Sequence, residues 1–481
     1  MENKYHNLKN LAFFRFKKLG EDFLLTNNAG DYAFLSPEEF ENLLEGGLAK
    51  KTKKHKELAE KGFLKEGLDE GRLAAKIRTR NAFLEQGPSL HIIVLTPRCN
   101  YNCVYCQASS PLAKKEKGTD MDINTAKQTV DLIFQSPSKH ISIEFQGGEP
   151  LLNFEVLKFI TEYALELNKT EKKDLEISLI SNFSLLDEEK IDFLLGRKVG
   201  ICTSLDGPKE VQNRNRIYTE GNSYEVIADR VKKLNRKYGE LPPSKRMRLN
   251  ALCTVTKFSL ADPEGIIKEY LKQGFGAVHL KPLTPLGIAQ KAWDKIGYAP
   301  EEYVAFFKKA LDHVIALNKK GKLFYERTAV IILKKILTGT DPNYFELRSP
   351  CGAGIGQLAY NHDGSVYTCD EGRMLAEMGD EIAKLGHVEE DEYGKIVGHE
   401  TVKTLAYAST LENLPACTNC AFKPYCGVCP LHNYAISGSI FAQMPNNFLC
   451  KVNMGIMEYL FEKLKDKENV KIFKSWIKKE F

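Results

Sequence analysis

Between residues 90 and 320 the chain alternates short apolar or period-two runs with longer stretches of helical periodicity, and this pattern predicts six β/α units. Strands are predicted over 90–96, 141–145, 175–180, 199–205, 247–255 and 277–282; ISIEF alternates apolar with polar positions, and HIIVL runs apolar until Pro97 stops it. Helices with one polar face are predicted over 122–135, 153–168, 187–196, 223–238, 262–273 and 300–319. Strands separated by helices pair in parallel through crossovers, so the expected class is α/β, with a parallel sheet curved into a partial (β/α)6 barrel. Closing a barrel would need two more units, and the missing quarter would leave a lateral opening.

The flanks read differently. Residues 1–85 hold no cysteine and begin with three strand-like runs, FFRFKKL, DFLLTN and YAFLS, followed by the helix-like PEEFENLLEGGL. Asn28, Gly30 and Asp31 supply a turn between the second and third runs, and Ser36-Pro37-Glu38-Glu39 starts a helix. A small winged-helix-like unit is expected at 1–85, then a core at 86–320, a linker at 321–345, a cysteine-rich unit at 346–455 and a C-terminal helix at 456–481.

Composition narrows the class. The chain is 43% hydrophobic and 27% charged, and no apolar run approaches the roughly 18 residues that span a bilayer, so no membrane partner is expected. MENKYHNLKN lacks the apolar core of a signal peptide. The expected compartment is therefore the cytoplasm, where the 12 cysteines serve metal rather than disulfides. A net charge of +5 is modest for this length; the basic runs KKTKKHK (50–56) and SKRMR (244–248) are solvated faces or guides for an acidic peptide.

Candidate chemistry begins at LTPRCNYNCVYCQ, where Cys99, Cys103 and Cys106 follow a predicted strand. Three thiolates so spaced can hold three irons of a [4Fe–4S] cube and leave the fourth iron open to a ligand. A zinc site would want a fourth ligand at comparable spacing. Gly147-Gly148-Glu149-Pro150 follows the second strand; two glycines permit close backbone approach, and the carboxylate suits an ammonium partner, although such a sequence is also an ordinary βα turn. Ser181-Asn182, Ser204 and Asp206 end the next two strands on the same rim, offering hydroxyl, amide and carboxylate groups that suit a ribose or equally cap helices. Cys202 and Cys253 fall inside predicted strands and read as core thiols.

The Cys-x3-Cys-x2-Cys spacing resembles the signature of the radical S-adenosylmethionine (SAM) superfamily. The resemblance implies a [4Fe–4S] cluster on Cys99, Cys103 and Cys106; contact with SAM through the neighbourhood of Tyr105, through Gly147, Gly148, Glu149 and Pro150, and through Ser181, Asn182, Ser204 and Asp206; and a radical SAM barrel. Phe183 stands where the family commonly has glycine after the Asn.

Later cysteines are similar to a SPASM domain, which carries two auxiliary iron–sulfur clusters. Cys351 is followed by twelve residues, Gly364, four more and Cys369; then come Cys417-x2-Cys420-x5-Cys426-x2-Cys429 and, twenty residues on, Cys450. The family usually has three residues between the last two of the central group. The resemblance implies a distal cluster on Cys417, Cys420, Cys426 and Cys450, and a nearer one on Cys351, Cys369 and Cys429 that is one protein ligand short. Spacing alone also permits a zinc ribbon at 417–429. Asp370 follows Cys369 and is similar to the catalytic base of sulfatase-maturing relatives; the plain reading is a turn residue, or one paired with Arg373 or Glu371.

From about residue 12 to 390, the segments FRFKKLGEDFLLTNNAGDYAFLSPEEF, RTRNAFLEQGPSLHIIVLTPRCNYNCVYCQ, SIEFQGGEPLLNF, CTSLDGP, NRNR and AYNHDGSVYTCDEGRMLAEMGD resemble the maturases of His-Xaa-Ser peptide systems, the HxsB type. The resemblance implies a ribosomally made precursor peptide whose leader segment is held by residues 1–85, and an electron donor such as flavodoxin or ferredoxin. It also implies a 5′-deoxyadenosyl radical that removes a substrate hydrogen, with a C–C, C–O or thioether crosslink as first choice of product. Sulfatase formylglycine generation and peptide epimerisation are the enzymatic alternatives. A zinc-dependent nucleic-acid-binding protein is the non-enzymatic one; it predicts basic stripes interleaved with stacking aromatics, which the chain lacks, so no nucleic-acid partner is expected.

Overall fold

The computed structural model describes residues 8–45, 52–110, 119–242, 249–441 and 443–480. Strands β1 (Arg15–Leu19), β2 (Asp22–Thr26) and β3 (Tyr32–Leu35) form an antiparallel sheet in that order. The central sheet is built from β4 (Leu90–Val94), β6 (His140–Gln146), β7 (Asp174–Ser181), β8 (Gly200–Ser204), β10 (Leu249–Val255), β11 (Ala277–Pro282), β12 (Tyr325–Glu326), β13 (Gln357–Tyr360), β14 (Ser365–Tyr367) and β15 (Lys384–His387). A separate two-stranded ribbon pairs β5 (Tyr101–Cys103) with β9 (Arg216–Tyr218).

The six expected strands form and lie side by side, β4-β6-β7-β8-β10-β11, all parallel. Their register follows the period-two pattern: Ile93, Phe145, Leu179 and Ile201 are neighbours along one buried row. Ser142, Glu144 and Gln146 take the other, half-buried face of β6. The expected helices form over Ile123–Phe134, Phe154–Glu171, Glu188–Gly196, Ser223–Glu240, Pro263–Lys272 and Pro300–Lys319. Each supplies apolar side chains to the core, such as Val130, Leu157, Leu194, Val231, Ile266 and Leu311. Burial of each is worth roughly 1.5–3 kcal/mol.

Several boundaries differ from expectation. Parallel β12 extends the sheet beyond β11, and parallel β13 extends it beyond β4, so chain from both sides of residue 345 narrows the opening left by six units. The segment 321–345 is thus more than a linker, since it holds β12 and the helix Arg327–Thr338, whose Val330, Ile332 and Leu333 are buried. The single helix expected at 456–481 is two, Phe448–Lys463 and Lys467–Glu480. Among the described residues no helix is long and apolar enough to cross a membrane.

The small sheet rests on the cysteine-rich segment. Arg15 Nε donates to the Thr418 carbonyl at 2.6 Å, Thr26 Oγ1 to the Ala421 carbonyl at 2.7 Å, and Tyr425 OH to the Gly30 carbonyl at 3.0 Å. Part of the basic run at 50–56 is less solvated than expected. Thr52 caps the helix Lys53–Glu60, and Lys54 Nζ donates to the Phe34 carbonyl of β3 at 3.0 Å. The run 244–248 lies outside the described residues.

Candidate functional site

Cys99, Cys103 and Cys106 lie half-buried in the loop after β4, at the carboxyl end of the sheet. The loop is clamped by a feature absent from the sequence reading: β5 pairs antiparallel with β9, setting Cys103 opposite Arg216 and stacking Tyr101 on Tyr218 at 4.7 Å. Arg216 Nη1 lies 4.0 Å from Cys103 Sγ, and its guanidinium carbon sits 5.2 Å from the centre of the Tyr105 ring. Burial pushes the Cys103 thiol up to about 12, opposed by Arg216, and burial also lifts Cys99, aided by the nearby Glu149. Such thiols keep their protons until a metal replaces them, and a buried cation beside them offsets the charge of an anionic iron–sulfur group. The residues present fit the expected cluster.

The Gly147-Gly148-Glu149 turn docks on the loop leading to Cys99. Gly148 N–H donates to the Thr96 carbonyl and Glu149 N–H to the Arg98 carbonyl, both at 2.8 Å. Gly147 has φ +131°, and a Cβ on Gly148 would fall 2.0 Å from the Arg98 carbonyl oxygen. The glycines therefore permit close approach to backbone of the cysteine loop, where the sequence reading expected approach to a ligand. Glu149 is fully enclosed: it accepts from Ser181 Oγ at 2.7 Å, Asn182 N–H at 2.8 Å and Leu151 N–H at 3.1 Å, and burial raises its pKa to about 7 against those bonds. These bonds let Glu149 position Ser181 and Asn182. Pro150 opens the short 3-10 turn Pro150–Asn153. Asn182 in turn holds the Asn100 side chain at 3.0 Å and reaches within 3.8 Å of Cys99 Sγ. Phe183 has φ +65°, the left-handed conformation that a glycine after the Asn would adopt without strain. Gly148→Ala is expected to drive the turn off the loop and cut SAM affinity by at least about tenfold, with most iron retained at the later cysteines; equilibrium dialysis and iron analysis measure both.

Asp206 departs from expectation in the same way. Its carboxylate is fully buried and accepts from Tyr105 OH at 2.7 Å, Asn215 Nδ2 at 3.1 Å, Arg216 Nε at 3.2 Å and Thr254 N–H at 3.1 Å. Every bond is made within the protein. Asp206 fixes Tyr105 and Arg216 against the cysteine loop. Ser204 remains half-buried at the end of β8, on the same strand face as Cys202.

Cys202 is not the core thiol expected. It lines a cavity of about 200 Å³ with Asn250, Leu252, His279 and Arg327. Burial still pushes its thiol to about 12, with Glu144 nearby. Cys253 is fully buried, as expected.

The later cysteines fall into two groups. Cys351, Cys369 and Cys429 pack in one apolar cluster and are one another's electrostatic neighbours; Cys417, Cys420, Cys426 and Cys450 are neighbours in a second. A cavity of about 100 Å³ is lined by Cys417, Cys420, Cys426, Cys429 and Cys450. Burial raises the thiols of Cys417 and Cys426 to about 12 and of Cys450 to about 11. Because Cys429 sides with Cys351 and Cys369, a ribbon confined to 417–429 is disfavoured. Among the described residues, no three His, Cys, Asp or Glu gather as tightly as a single metal ion requires.

Asp370 begins the helix Asp370–Ala376 and is paired with Arg373, whose Nε and Nη2 both donate to Oδ1, at 3.1 and 2.5 Å. Arg373 is buried and has Cys106 among its electrostatic neighbours, so the pair lies beside the first cysteine loop. Lys281 on β11, bridged to Glu346 at 3.1 Å and held well above its usual pKa by it, faces the same region as Glu371 and Glu144, whose carboxyls burial raises. The sequence reading missed this charged lining; the polar alternation of ISIEFQ and the lysine in AVHLKP were its only signal.

Comparison with known proteins agrees with this geometry. Residues 93–241 match the radical SAM superfamily. A cysteine-type anaerobic sulfatase-maturating enzyme of Clostridium perfringens strain 13 is 30% identical over 292 residues, spanning 59% of this chain and 74% of that protein. Among solved structures, anSMEcpe with bound AdoMet superposes with a TM-score of 0.66 at 22% identity, covering 79% of this chain and 99% of that one. Streptococcus suis SuiB bound to precursor peptide SuiA gives 0.53 at 13% identity, covering 90% and 99%. With the cysteine loop, the glycine turn and the parallel sheet that presents them, these matches establish that the chain belongs to the radical SAM superfamily, whose members use a [4Fe–4S] cluster and S-adenosylmethionine.

Proposed function

We propose that this chain is a peptide maturase of the HxsB type, which crosslinks a ribosomally made precursor. The observation that carries the reading is the seating of the small N-terminal sheet on the Thr418–Tyr425 segment, so that a peptide held on an edge of that sheet would lie beside the cysteine-rich segment. A peptide held there by strand addition would enter the barrel through its remaining opening. The β3 edge is covered, since the Phe34 and Tyr32 carbonyls accept from Lys54 and Lys61. We therefore assign the added strand to the β1 edge, beside exposed Phe13 and Phe16. Both solved neighbours have been captured with peptides, SuiB with precursor peptide SuiA and anSMEcpe with the Cp18Cys peptide, which supports a peptide substrate.

Cys99, Cys103 and Cys106 would hold the SAM-binding cluster, and backbone of the 147–149 turn with Ser181, Asn182 and Ser204 would hold SAM. When bound, these groups supply hydrogen-atom abstraction. The protein's share is orientation. Asp206 and Arg216 fix the cysteine loop, Glu149 fixes the strand end at 181–182, and the lining of Glu144, Lys281 and Glu371 receives polar substrate groups. Formation of one crosslink removes two hydrogens from the peptide; the first would leave as an atom, and the second as a proton taken by a base of this chain and an electron, for which a cluster held by the later cysteines would be the acceptor, while a donor of the flavodoxin or ferredoxin type would supply the electron that SAM cleavage consumes. Asp370 Oδ2 is the base we assign, because Arg373 occupies only Oδ1.

The test is incubation of anaerobically reconstituted protein with SAM, reductant and the small peptide encoded beside this chain's gene, followed by mass spectrometry. A loss of two mass units supports crosslinking; unchanged mass with deuterium uptake from solvent indicates epimerisation and overturns it. Asp370→Asn is expected to lower crosslinked product by roughly 10²–10⁴-fold, while 5′-deoxyadenosine still forms.

A further inference from the structure

We propose that His432 is the fourth protein ligand of the iron–sulfur cluster held by Cys351, Cys369 and Cys429. This deepens the reading above, on which those three cysteines hold a cluster one ligand short. His432 is only 1% exposed, and both Nδ1 and Nε2 lack a hydrogen-bond partner. An orphaned buried polar group loses its hydration without a replacement partner, and native structures keep few of them. A neighbouring site lacking one ligand supplies the reason.

Position supports the assignment. Cys429 is the N-cap of the helix Pro430–Ser437, and the backbone N–H of His432 donates to Cys429 Sγ at 3.4 Å. An N-cap side chain folds over the first turn of its helix, so the Cys429 thiol lies against the turn that carries His432. Glu346 is an electrostatic neighbour of His432, Cys429 and Cys351 alike, which sets the imidazole in the same pocket of the fold as the thiols.

Glu371 is the other candidate, being a close electrostatic neighbour of Cys351 and Cys369. It would add a fourth negative charge to three buried thiolates, and it already lies in the field of Lys281. A neutral imidazole adds none. Exchanging a thiolate for imidazole raises a cluster's reduction potential, so a histidine-closed site is the better acceptor for an electron leaving the substrate. On this assignment the nearer cluster has no open iron for substrate.

The test uses the full chain carrying Cys99, Cys103 and Cys106→Ala, which silences the first cluster, reconstituted and reduced for pulsed EPR. The expected result is a nitrogen coupling on a cluster signal that changes from the ¹⁴N to the ¹⁵N pattern when histidine is ¹⁵N-labelled, and that is lost in His432→Gln. His432→Cys should keep the iron, lose the coupling and lower the potential of that cluster. Absence of the coupling with iron content full, or its persistence in His432→Gln or His432→Cys, overturns the ligand assignment. Cys369→Ala separates the two claims: it should cost about four irons per chain whatever closes the site. No iron loss there would overturn the underlying cluster.

Discussion

Replacing Cys99, Cys103 and Cys106 together by alanine is expected to remove about four irons per chain and to lower both 5′-deoxyadenosine and crosslinked product by at least about 10⁴-fold. The effect is that large because the bound group supplies the bond-breaking step, and the remaining side chains only hold and aim it. The fold should survive. The loop carrying these thiols is anchored independently by the β5–β9 ribbon, the Tyr101–Tyr218 stack and the Gly148 and Glu149 backbone bonds. Iron analysis, circular dichroism and product assays on the same preparation separate loss of chemistry from loss of structure. Retained turnover would contradict the assignment.

Asp206→Asn is the second substitution with a large expected effect. The carboxylate accepts four hydrogen bonds, including those from Arg216 and Tyr105, and both it and Arg216 are buried. An amide turns one acceptor into a donor facing donors and leaves the guanidinium an unpaired buried charge, a loss of about 3–5 kcal/mol. The first unfolding transition in denaturant should shift accordingly, and SAM binding should weaken because Tyr105 and the Cys103 strand lose their anchor. Adding Arg216→Gln should restore much of the stability by removing the stranded charge, yet leave SAM binding impaired. Recovery of both would mean that the pair contributes stability alone.

The barrel was legible because each βα unit carries a long periodic signal: runs such as ISIEF and HIIVL, alternating with helices of nine to twenty residues, place all six strands and helices within a few residues of where they form. Short elements were not. β5 and β9 are three residues each, YNC and RIY, too short to show a period, and they form because Tyr101 meets Tyr218 across the fold. β12 has two residues and pairs only because β11 already stands beside it. At the site, the sequence places these residue types at strand ends and leaves their direction open. Asp206 and Glu149 look like ligand-facing acids in sequence, and both turn inward to bind groups that arrive from other strands, Arg216 and Thr254 in one case, Ser181 and Asn182 in the other. Cys202 shows the reverse, a thiol read as core that faces the lumen. The seven later cysteines lie in neighbour sets of three and four, and one of their spacings is a residue short of the family's pattern.

The central claim is that an iron at Cys99, Cys103 and Cys106 is left open by the protein and taken by SAM. EPR of the reduced protein, with Cys369→Ala and Cys420→Ala simplifying the later clusters, measures this directly. The account predicts that adding SAM shifts the g-values of the remaining signal, and that Gly148→Ala weakens the shift. A signal unchanged by saturating SAM would contradict it.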